Sequence, residues 1–249
     1  MSALWSAPEA QAAVTYDNSS ISNAVATASS LTYSLTVGSG TNRGLVVFVG
    51  VGSDCSLNSN PPTISSVTYA GVSLIQIDNM NFFPVPCSGG PLTRLYIWSL
   101  PAGTQPISGA NNVVVTFSAA LRAAGPKETV QSGAVSVAGV DPATTFSSFL
   151  SGNFNTGSPQ SINLTASYTN DLVVSFVTNG GSITSPVAPL SQVKINNVDA
   201  GTTANNSALA TGPGGTTSLG WNIDAADGVT MIAGVSFKAR PTYRRVINE

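Results

Sequence analysis

Apolar residues recur along the chain in short dense runs, and in many of them they alternate with Ser, Thr or Asn. Alternation with a period of two puts one set of side chains on each face of an extended segment, the signature of a β-strand. On this pattern strands are predicted over 31–37, 45–51, 64–69, 72–78, 92–100, 113–117, 130–140, 162–166, 172–178, 190–198, 207–211, 216–223 and 229–238. No stretch keeps apolar residues at i, i+3, i+4 and i+7 with capping residues, apart from a turn at 119–124. The chain's 24 Gly and 15 Pro fall between the runs, where turn chemistry needs them. Thirteen short strands at this spacing predict an all-β sandwich or barrel.

Two runs echo each other. Asn42-Arg-Gly-Leu-Val-Val-Phe-Val matches Asn170-Asp-Leu-Val-Val-Ser-Phe-Val in outline, and Gly133-Ala-Val-Ser-Val-Ala matches Ala233-Gly-Val-Ser-Phe-Lys downstream. The echo reads either as two related halves or as central strands drawn from one small alphabet. No charged or Pro-rich linker divides them, so the expectation is one domain over 14–239 with intertwined halves, about 14–142 and 160–239. A long surface loop is expected at 144–160, an N-terminal arm at 1–13 and a basic C-terminal arm at 240–249.

Composition narrows the chemistry. Of 249 residues only 8% are charged, against about 25% in ordinary soluble domains. There is no histidine, which excludes Ser-His-Asp and Cys-His catalysis and imidazole metal sites. Nine basic against eleven acidic residues argue against a nucleic-acid-binding body. The longest apolar run, 45–51, is a strand's length and far short of a membrane span. The first fourteen residues show neither the basic nor the apolar region of a signal peptide. A chain made in the cytoplasm and later exposed on an assembled particle fits these facts.

Most of the acids read as turn formers, among them Asp141-Pro, Asn170-Asp171 and Asp227-Gly228. Glu9, Glu128 and Glu249 fall in loops or tails. Asp224 with Asp227, or Asp54 near Asp78, could offer oxygens to Ca²⁺, but neither follows an alternating ligand pattern. Gly212-Pro-Gly-Gly215 lacks the Lys-Ser/Thr ending of a phosphate loop. The expectation is a non-enzymatic protein with no cofactor and no metal. Cys55 and Cys87 lie in loop-like sequence and either form a disulfide or remain free thiols. A bridge would close a 32-residue loop and contribute about 3.7 kcal/mol on the chain-entropy view.

Two features point outward. In the strand at 92–100, alternation places Leu95 and Ile97 on one face and Arg94, Tyr96 and Trp98 on the other. An Arg/Tyr/Trp row suits a protein interface or a sugar-stacking platform. Its bland reading is a strand buried on both faces with Arg94 at the rim. The last twelve residues hold Lys238, Arg240, Arg244 and Arg245 against Glu249 alone. With Tyr243, such a tail either docks on a more acidic neighbour or frays in solvent. Trp5 in the other arm is a second candidate anchor.

The succession of a Leu-Val-Val strand, Val67-Thr-Tyr-Ala-Gly-Val-Ser-Leu74, Tyr96-Ile-Trp98, Asn112-Val-Val-Val-Thr-Phe-Ser118 and Gly133-Ala-Val-Ser-Val-Ala-Gly-Val-Asp141 resembles Ser/Thr/Gly-rich β-sandwich modules of bacteriophage structural proteins and some bacterial surface proteins. The likeness spans about 14–239. It implies an antiparallel, jelly-roll-like sandwich with short extended terminal arms. It also implies a virion component, a capsid decoration (cement) or fibre protein, that binds other virion proteins, foremost the major capsid protein. Such a part is expected to be a homo-oligomer, with a trimer as first choice, and to engage neither nucleic acid nor membrane. The alternative is a carbohydrate-binding or lectin-like surface module. The pattern carries no catalytic signature.

Overall fold

A computed structural model describes residues 13–25, 27–53, 62–82, 93–122, 128–154, 160–166, 170–179, 183–186, 193–199, 204–211, 215–223 and 230–241. Among them the chain is all strand and turn, and every strand pairing is antiparallel.

The first half contributes nine strands: β1 (Thr15–Val25), β2 (Ser30–Val37), β3 (Gly44–Ser53), β4 (Ile64–Tyr69), β5 (Val72–Ser73), β6 (Ile75–Phe82), β7 (Thr93–Ser99), β8 (Gly109–Phe117) and β9 (Glu128–Ala138). They form an inner sheet ordered β1-β9-β3-β7-β6 and an outer sheet ordered β2-β8-β4-β5. β4 turns into β5 through Ala70 and Gly71, both at positive φ (51° and 79°), the demand of a two-residue type I′ hairpin. Counting β5 and β6 as one strand that changes sheet at Leu74, eight strands alternate between two sheets and the first lies beside the last. That is the wrapped order of a jelly roll.

The second half repeats the arrangement. Its strands are β10 (Phe146–Phe154), β11 (Gln160–Ala166), β12 (Leu172–Asn179), β13 (Ile183–Pro186), β14 (Val193–Asp199), β15 (Ala204–Thr211), β16 (Gly215–Ile223) and β17 (Thr230–Phe237). Its inner sheet runs β10-β17-β12-β15-β14 and its outer sheet β11-β16-β13, the first half's order without a counterpart of β5 among the described residues. The match extends to register. The bulge between Tyr16 and Asn18 recurs between Phe146 and Ser148, that between Gln76 and Asp78 between Lys194 and Asn196, and that between Ile64 and Ser66 between Ile183 and Ser185. Bulges are specific local insertions, so their coincidence in all three strand types marks the halves as copies of one fold. The echo of β3 in β12 and of β9 in β17 is therefore an echo of whole jelly rolls. The halves are not intertwined, since the sheets of 15–138 and of 146–237 share no strand.

Four layers result, outer–inner–inner–outer, with three cores between them. Val47, Val49, Tyr69, Val113 and Trp98 fill the first sandwich; Val46, Phe48, Leu95, Ile97 and Val135 meet Val174, Phe176, Val235 and Phe237 between the inner sheets; Leu164, Val173, Leu219 and Trp221 fill the second sandwich. The inner sheets are thus covered on both faces, which explains why Leu45 to Val51 is a continuous apolar run. Each large apolar side chain buried there contributes about 1.5–3 kcal/mol.

Three strands were not foreseen. β10 occupies most of the expected loop at 144–160, and β1 and β13 lie in stretches assigned no strand. β1 and β10 are edge strands interrupted by bulges, so neither keeps a clean alternation.

Candidate functional site

The outward faces of the two outer sheets are uncharged and rich in hydroxyls. On the first, the register sets Thr32 beside Val114, Val114 beside Thr68 and Thr68 beside Ser73. A second row runs Ser30, Thr116, Ser66. The burial of β2 alternates strictly, with Ser30, Thr32, Ser34 and Thr36 exposed. On the second outer sheet Asn163 faces Ser218 and Thr165 faces Thr216. These faces offer hydrogen bonds in regular rows and no ionic chemistry.

Charge gathers at one pole instead. Of the twelve charged side chains among the described residues, Asp17, Arg43, Asp141, Asp171, Lys238 and Arg240 lie there, linked by a string of hydrogen bonds. Asp17 accepts from Gly38 N (2.8 Å) and Ser136 Oγ (2.8 Å), and Arg43 donates to Gly38 O (2.7 Å). Asp171, fully buried, accepts from Ala239 N (2.8 Å) and Ser147 Oγ (2.6 Å). Lys238 pairs with Asp141 at 3.3 Å. The two jelly rolls solve one problem differently here. A carboxylate reaches the bulge of the first inner sheet from β1 as Asp17, and that of the second from the start of β12 as Asp171.

The described chain starts and ends at this pole, at Ala13 and Pro241. Arg240 N donates to Gly139 O at 3.0 Å. Gly139 has φ +86°, and a Cβ on it would lie 2.7 Å from Ala13 O. Only glycine allows the two segments and the linker to pass so closely. Arg240 is exposed beside this crossing.

The Arg/Tyr/Trp row is corrected by burial. β7 lies inside the inner sheet between β3 and β6. Leu95 and Ile97 face the second half, while Tyr96 and Trp98 join the core of the first sandwich at 6% and 8% exposure. Neither ring is open to a sugar or a partner. Arg94 is partly buried, with its Nε unpaired. Alternation assigned the faces rightly, but both faces are covered. Trp5, Tyr243, Arg244, Arg245, Cys55 and Cys87 lie outside the described residues, as do Asp54, Asp224 and Asp227.

Burial also corrects two acids. Glu128 opens β9, is 1% exposed, and accepts from Arg122 N at 2.9 Å. Asp171, expected with Asn170 as a turn former, does follow a turn at Asn170, but it is a fully buried internal acceptor. Asp141 does form a turn, accepting from Ala143 N. Asp78 accepts from Ser151 Oγ of the other half at 2.9 Å. Among the described residues no group of three or more Asp, Glu, Cys or His could hold a metal ion.

Phe149 and Leu150 form an exposed apolar pair, at 44% and 41%, on β10 within the stretch expected to be a loop. Adjacent apolar residues inside a supposed loop were the available signal. The chain matches no known protein family, no curated protein and no solved structure.

Proposed function

We propose that this chain is a non-enzymatic virion structural protein, a capsid decoration protein that binds neighbouring capsid subunits through the pole where its two terminal segments emerge. The observation that carries the reading is their convergence on Gly139 beside the exposed Arg240. A rigid double jelly roll so built has one end for attachment and two broad faces left free. The basic residues beyond, Arg244 and Arg245, suit an acidic neighbouring surface, the major capsid protein in this proposal. Jelly rolls recur in viral capsid and lectin domains, an analogy of fold that raises the prior and assigns no residue. Homo-oligomerisation, with a trimer first, and residence on the particle belong to the same proposal. The lectin-like alternative loses the rings it relied on, since Tyr96 and Trp98 are buried.

The test is saturable binding of the purified chain to particles that lack it, followed by sedimentation. Binding should weaken on deletion of 240–249 and fall steeply with salt, as expected of an electrostatic contact. Absence of the chain from purified particles, or binding indifferent to both the deletion and salt, overturns it.

A further inference from the structure

The contact between the inner sheets is built from equivalent positions. Phe48 pairs with Gly133 in the first inner sheet, and Phe176 pairs with Ala233 at the same point of the second. The two phenylalanines stack on each other, ring centroids 5.4 Å apart and planes within 3°. Two residues on, Gly50 and Thr178 are likewise equivalent, and a Cβ on Gly50 would lie 2.9 Å from Thr178 Cγ2. Positions that meet their own counterparts lie on a pseudo-two-fold axis, with Gly50 on one face standing where Thr178 stands on the other. With two such positions along β3 and β12, the axis runs along these strands.

The backbone also joins the halves: Val14, ahead of β1, donates its N–H to Asn170 O, two residues before β12 of the second half.

The centre of the contact is apolar. In the first half it presents Val46, Phe48, Leu95, Ile97, Val135 and Val137, all fully buried in the whole chain. Polar bonds cross it as well, from Thr178 Oγ1 to Gln131 Oε1 and, at the edge strand β6, from Ser151 Oγ to Asp78. An apolar patch of this extent is rarely left open on a soluble monomer.

We propose that each inner-sheet face is a docking surface whose partner is the inner-sheet face of the opposite half, its own or that of a second copy. The chain is then a covalently joined pair, and a second copy of the chain supplies the partner when a half cannot reach its own. This inference stands apart from what the outer surfaces bind.

Two experiments on the full chain test it. In the first, a specific protease site is inserted between Ala143 and Thr144, both exposed, and the folded protein is cleaved. Light scattering should find the fragments together at the mass of the uncut protein, down to about 1 µM, as a large apolar contact predicts. Fragments that separate at that concentration overturn the proposal. In the second, deletion of residues 142–144 removes about 10 Å of linker reach. The mass should double relative to the unaltered chain, with each copy's first half closed on the other's second half. A matched variant with a Gly/Ser insertion at the same point should keep the original mass. A shortened chain that keeps the original mass, or that only aggregates, counts against the proposal, because an intact partner was at hand in every copy.

Discussion

The Phe48–Phe176 stack offers the sharpest energetic test of the two-fold relation. Both rings are fully buried, one on each inner sheet. Truncating either to Ala leaves a cavity against the other ring and costs about 3–5 kcal/mol. Domains are typically stable by about 5–15 kcal/mol, so the Ala double variant would approach the whole of it. Phe→Leu is the better probe, at about 1–2 kcal/mol for each single change. Equivalence predicts that Phe48→Leu and Phe176→Leu lose similar amounts. The double variant should lose less than their sum by about 0.5–1.5 kcal/mol, the worth of the ring pair, because the second change has no stack left to remove.

Urea unfolding is the assay, and the molecule carries its own reporters. Trp98 lies in the core of the first sandwich and Trp221 in that of the second. With Trp5 replaced by Phe, variants retaining one of these two tryptophans follow each half separately. Coincident transitions mean that the inner contact couples the halves into one cooperative unit. Costs that add within about 0.3 kcal/mol, or that differ several-fold between the two positions, would refute the reasoning.

Three further outcomes follow from the same geometry. Gly133→Ala places a Cβ 2.9 Å from Phe176 Cε2 and should cost about 1–3 kcal/mol in urea titrations; adding Phe176→Leu should recover part of it, and no recovery would mean that the ring is not the obstacle. Asp171→Ala strands Ala239 N–H and the Ser147 hydroxyl, so the loss should be about 2–3 kcal/mol, read as a Tm lower by roughly 4–12 °C; an unchanged Tm sinks the assignment. Burial raises the pKa of Tyr33, with its hydrogen bond to Ser132 opposing the shift; the folded state then disfavours the phenolate, so this contribution is intact below the unfolded value of about 10 and is lost as pH rises through it. Stability measured between about pH 9 and pH 11 should fall less steeply in Tyr33→Phe, and an identical slope would show that Tyr33 does not take part.

Much of the fold was legible because strands announce themselves by period. Each of the thirteen predicted strands has a counterpart, and the Leu-Val-Val echo located the central strands of both jelly rolls. The strands that escaped have physical reasons. β1 reads Thr-Tyr-Asp-Asn-Ser-Ser-Ile-Ser-Asn-Ala-Val and pairs on one side only, with a bulge that resets its alternation. β10 repeats that position and that bulge, while β13 is four residues long and ends in Pro186. The candidate site was less legible. Period two tells which residues share a face, but not how many layers lie above that face. Tyr96 and Trp98 were grouped correctly, and burial decides between the two placements left open, an outward row or a strand covered on both faces, in favour of the second. Asp171 looked like a turn residue because no local pattern reveals that the Ala239 amide arrives from 68 residues away.

The low charge and the doubled architecture have a common cause. An inner sheet that must be apolar on both faces cannot serve as a surface, so each jelly roll needs a cover, and the chain provides it by repeating itself. The two-fold between the copies runs along the strands, so it carries the start of β10 to the same end as the start of β1. The N-terminal segment, the linker and the C-terminal segment consequently crowd one pole, as Ala13, Gly139 and Arg240 do. There the half-buried Asp17 and the buried Asp171 tie down backbone that the sheets leave unpaired, and half of the described charges gather. The outward faces of the outer sheets are left to hydroxyl and amide side chains, which carry no long-range field. On the proposed function attachment runs through this pole, so deletion of 240–249 should slow association with the particle before it affects the fold.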